Sequence, residues 1–139
     1  MVKVSAAQAV RAKTEELRQR IDELDLEGNV SDLSIDGYTV IRDAAPLSFF
    51  EELRESVLHI NHRMKGFRRF PTNLLNEGVV FEQAVQLEKL NTLYEFLLGP
   101  NFIVSQVSAS VKRTTLKPFA IHADMNGYEQ PFPGHSVIA

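Results

Sequence analysis

The hydrophobic pattern of the chain turns from mainly helical to strand-like at Gly99-Pro100, and that change constrains the fold more than any other feature. Before it, apolar residues recur at the spacing of a helix face. After it, β-branched residues alternate with polar ones at the period of a strand. Helices first and strands afterwards predict an α+β fold with a sheet or barrel at the C-terminal end. A chain of 139 residues is long enough for one domain with its own core, and two independent domains are not expected.

The helical part divides at its turn signals. Ser5 and Gln8 fit a capping box. Val10, Leu17, Ile21 and Leu24 then give an amphipathic helix over residues 6–26, closed by Gly28-Asn29. Residues 1–30 are read as this N-terminal helix and residues 31–139 as the remainder of the domain. Asp36-Gly37 predicts a turn, and residues 38–42, which begin at Tyr38, alternate as a short strand. Pro46 suits the first turn of a second long helix, whose apolar face comprises Phe49, Phe50, Leu53, Val57, Ile60 and Met64. A third helix is expected over residues 81–98, largely buried and stopped by Gly99-Pro100.

In the second texture, Ile103, Val107, Ala109 and Val111 share one face. Phe102, Val104, Gln106, Ser108, Ser110 and Lys112 share the other, which begins apolar and turns polar. A solvent-facing strand has that pattern, and so does a strand lining a polar cavity. Residues 113–117 read as a turn and residues 119–124 as a second strand.

Composition removes several functional classes. The chain has no cysteine, which excludes disulfides, thiolate zinc sites and iron–sulfur clusters and leaves His, Asp and Glu as metal ligands. The net charge of −3 and pI near 5.8 give no basic excess for nucleic acid or an anionic membrane. No apolar run approaches the ~20 residues needed to span a bilayer, and the first residues lack a signal-peptide core. A cytoplasmic location, with a small-molecule substrate as the partner, is the expectation.

The chemistry concentrates in His122-Ala123-Asp124. On a strand, residues i and i+2 point to the same face, so His122 and Asp124 can reach one ion with Ala123 turned away. A neutral imidazole with a carboxylate suits iron(II), manganese or zinc. One more histidine completes a facial triad with open positions for a bidentate co-substrate and dioxygen. His135 is the only histidine after Asp124, but it sits in the Pro/Gly stretch FPGHS and reads as a loop residue. His59 and His62, three apart on a helix, read as surface groups. Arg68 and Arg69, in the basic aromatic stretch MKGFRRFPTN, either meet an anionic substrate or stay solvated.

The order of Asp36-Gly37-Tyr38, Leu97-Leu98-Gly99-Pro100, Lys112 and His122-Ala123-Asp124 resembles the phytanoyl-CoA dioxygenase family of Fe(II)/2-oxoglutarate-dependent oxygenases, over about residues 36–139. The resemblance implies a double-stranded β-helix, the cupin-like jelly roll, behind N-terminal helices. It implies that His122 and Asp124 bind iron. It places Ser108 and Phe119 beside 2-oxoglutarate, and Tyr128 in the substrate pocket. The reaction it implies is hydroxylation of a small organic substrate with 2-oxoglutarate and O2. In that family a distal histidine and a 2-oxoglutarate-binding arginine follow later, and neither is present here. The chain is therefore expected to be the N-terminal portion of such a barrel, truncated and inactive by itself, with open strand edges that favour self-association. The alternative is a non-enzymatic module, derived from that fold, that binds a metal or a partner.

Overall fold

The computed structural model describes residues 6–65 and 73–111. In chain order these form α1 (Ala6–Glu23), α2 (Glu27–Ile35), α3 (Leu47–Arg63), a 3-10 turn (Leu74–Asn76), α4 (Val79–Val85) and α5 (Glu88–Leu98). An irregular segment follows to residue 111.

The expected helix over residues 6–26 forms as α1 but stops early, at Glu23, and α2, which the sequence pattern did not announce, follows it. Asp25 adopts a left-handed backbone with φ of 55°. The Leu26 N–H donates to the Ile21 carbonyl at 2.9 Å and the Asp25 N–H to the Asp22 carbonyl at 3.1 Å. Those two bonds form a Schellman motif, the usual helix stop, with aspartate where glycine is common. Leu26, just beyond it, is 1% exposed, and its burial offsets the local backbone cost. Gly28-Asn29, expected to terminate the first helix, lies inside α2. Asp25→Gly is expected to raise stability by about 0.5–1 kcal/mol, because a Cβ in the left-handed region costs roughly 1–2 kcal/mol and glycine returns part of that as chain entropy. Urea denaturation measures it.

α2 is capped by Asp36, and the chain turns away at Gly37, whose φ of 77° is open to glycine at no steric cost. The expected strand over residues 38–42 does not form. Side chains hold this stretch against α2 instead: Asn29 Nδ2 donates to Thr39 Oγ1 at 2.9 Å and to the Val40 carbonyl at 3.2 Å. The Thr39 hydroxyl in turn donates to Asp32 Oδ2 at 3.0 Å. Farther along, Lys89 Nζ donates to the Arg42 carbonyl at 3.3 Å and ties the stretch to α5.

α3 forms as its pattern predicts. Pro46 is its N-cap. Ile60 belongs to a buried cluster with Leu74, Val80 and Phe81, and Phe49, Leu53 and Val57 pack against it. Phe50 and Met64 remain exposed: Phe50 lies at the edge of that stripe, and Met64 is the C-cap residue just past the end of α3. Arg63 pairs with Glu77 beyond the 3-10 turn.

The expected third helix is two. Gln86 and Leu87 separate α4 from α5. Along one unbroken helix Phe81 and Thr92 would fall within about 20° of each other. The break lets α4 pack on α3 while α5 packs on α1 and α2. Arg20 of α1 pairs with Glu95 of α5 across that second contact. The third helix does stop where expected: α5 closes at Gly99, whose φ of 84° and ψ of 174° belong almost solely to glycine.

Thr92 of α5 is fully buried, and its hydroxyl has no hydrogen-bond partner among the described residues. A buried unsatisfied hydroxyl costs about 1–3 kcal/mol. Thr92→Val keeps the branched shape and is expected to raise stability by about 1 kcal/mol, read as a higher melting temperature.

The described residues contain no strand, so the expected α+β fold with a double-stranded β-helix (jelly roll) is corrected to a helical architecture. The reason is pairing. Residues 102–111 carry strand-like residues, but a strand is stable only when its N–H and C=O groups find a neighbour. Among the described residues the neighbour is a single parallel bridge between Asn73 and Val107, with the Leu74 N–H donating to the Val107 carbonyl at 3.3 Å. This segment packs on α3, the 3-10 turn and α4, not on a sheet. The expected turn over residues 113–117 and strand over residues 119–124 lie outside the described residues. No helix among the described residues is long and apolar enough to cross a membrane.

Candidate functional site

Residues 107–111 keep the alternation that the sequence predicts. Val107, Ala109 and Val111 turn inward, while Ser108 and Ser110 are exposed. Val107 and Ala109 pack against the cluster of Ile60, Leu74, Val80 and Phe81. Farther upstream the pattern fails: Ile103, expected to share the face of Val107, Ala109 and Val111, is 85% exposed. Phe102 instead leans on Tyr94 of α5, with ring centroids 5.5 Å apart. Burial there pushes the Tyr94 hydroxyl above its ordinary pKa.

Ser108 is thus the one predicted site residue whose position is described. It sits on the solvent side of the segment, next to the bridge to Asn73. Of the two readings left open by its pattern, the solvent-facing one holds for the described residues. His122, Asp124, Phe119 and Tyr128 lie outside the described residues, as do Lys112, His135, Arg68 and Arg69. His59 and His62 are both exposed on α3, and no group of three or more His, Asp or Glu side chains among the described residues is placed to hold a metal ion.

Between α3 and residues 109–111 lies an open groove of about 460 Å³, lined by Phe50, Leu53, Val57, Leu58, Ala109 and Val111. Its cation, Arg54, is paired with the neighbouring Glu55. The groove therefore offers apolar contact and little uncompensated charge; it is a surface for packing rather than for chemistry. Sequence reasoning missed it, although one signal was present. Phe49 and Phe50 are adjacent on a helix and cannot both face one core. Phe50 lines the groove, with its ring 5.5 Å from that of Phe49 in an edge-to-face arrangement.

Compared with known protein families, with characterised proteins and with solved structures, the chain finds no match.

Proposed function

We propose that His122 and Asp124 hold a divalent metal, iron(II) above all, and that the chain takes part in 2-oxoglutarate-dependent oxygenation of a small organic molecule. The observation that carries this reading is the ordered series of motifs that begins at Asp36-Gly37-Tyr38 and ends at His122-Ala123-Asp124. Two features of the described residues support it. Gly37 and Gly99, the glycines of the first two motifs, both occupy backbone that favours glycine, so each motif marks a corner the chain needs. Ser108 is exposed on an extended segment, where a small molecule can reach its hydroxyl.

The donor types fit the metal. A neutral imidazole nitrogen and a carboxylate oxygen match the preferences of iron(II) and manganese(II), and neither ligand needs a thiolate. Bound there, iron would supply the oxidative chemistry with 2-oxoglutarate and dioxygen. The chain's own contribution is to present both donors deprotonated and to orient them, so metal binding releases protons and weakens in acid. Ser108 and Phe119 are assigned to 2-oxoglutarate, as donor and packing surface respectively, and Tyr128 to the substrate.

A second reading, a non-enzymatic binding module, is favoured by one observation. Ile35, the last residue of α2, and Tyr38 and Val40 just after it are 79%, 71% and 65% exposed, and apolar groups clustered on a surface mark contact sites.

Binding of 2-oxoglutarate separates the two readings. With manganese(II) present, the protein is expected to bind 2-oxoglutarate in titration calorimetry, and His122→Ala is expected to lose that binding; turnover itself is not expected without the distal histidine and the arginine. No binding of 2-oxoglutarate by the wild type would reject the oxygenase reading and leave the binding module.

A further inference from the structure

We draw no further inference here: the strongest candidate, the open apolar groove between α3 and residues 109–111, is an unpartnered face, and nothing in the structure shows what covers it.

Discussion

Phe81→Ala is expected to cost about 3–5 kcal/mol of folding stability, the range for removing a large aromatic from a packed core. Phe81 is 2% exposed and shares its cluster with Ile60, Leu74 and Val80. The cluster joins α3, the 3-10 turn and α4, and Val107 and Ala109 of the extended segment rest on it. Truncation removes apolar contact from all of these at once and leaves a cavity that helices fixed by their neighbours cannot close. A domain of this size has about 5–15 kcal/mol of stability in total, so the loss is a large share. Urea denaturation reads it as a lower midpoint at unchanged slope. Phe50→Ala is the control. Phe50 is 41% exposed and outside the cluster, and its truncation is expected to cost about 1 kcal/mol. Equal costs for the two variants would mean that the core is not where we place it.

The second large effect concerns the metal. His122→Ala and Asp124→Ala are each expected to weaken manganese(II) binding by roughly tenfold or more, since loss of even an outer-shell partner to a metal ligand costs about 10–100-fold. Titration calorimetry reads the affinity, with manganese in place of iron to avoid oxidation during the experiment. The double variant His59→Ala/His62→Ala is the control. Those two histidines are exposed on α3 and supply the other closely spaced imidazole pair in the chain, so their removal is expected to leave the affinity unchanged. Weakening by the double variant, with none from His122→Ala, would move the site to α3.

How far the sequence could be read depends on whether the deciding interaction was local. α3 was legible because Pro46 fixes its start and Phe49, Leu53, Val57 and Ile60 repeat at helical spacing. The stop at Gly99 was legible because only glycine takes that backbone easily. The break at Asp25 was not, because aspartate replaces the glycine that normally signals a Schellman stop, and Gly28 offered a more familiar terminator nearby. The α4–α5 break was hidden for a different reason. Apolar residues continue on both sides of Gln86, and only packing against α3 on one side and α1 and α2 on the other decides where the axis turns.

The strand expectations erred for a third reason. Alternation reports which side chains share a face, and for Val107, Ala109 and Val111 it did so correctly, while leaving open which face is buried. It cannot report whether a neighbouring backbone is present to pair with, and for residues 102–111 the inward neighbour is largely a helix. Alternation therefore put Ser108 opposite Val107 and Ala109 but left open whether its face met solvent or a cavity, while the jelly roll implied by the resemblance was not found among the described residues. The groove beside α3 was half legible, through the adjacent Phe49 and Phe50. The exposure of Ile35, Tyr38 and Val40 was not, because exposure of apolar groups is set by what packs on them and not by their own identity.

The most direct test of the account asks whether His122 touches the metal. Pulsed electron paramagnetic resonance of the manganese(II)-loaded protein detects nitrogen coupled to the ion. The account predicts an imidazole nitrogen coupling in the wild type that persists in His59→Ala/His62→Ala and is lost in His122→Ala. A wild-type spectrum with no nitrogen coupling, or a coupling that survives unchanged in His122→Ala, would contradict it.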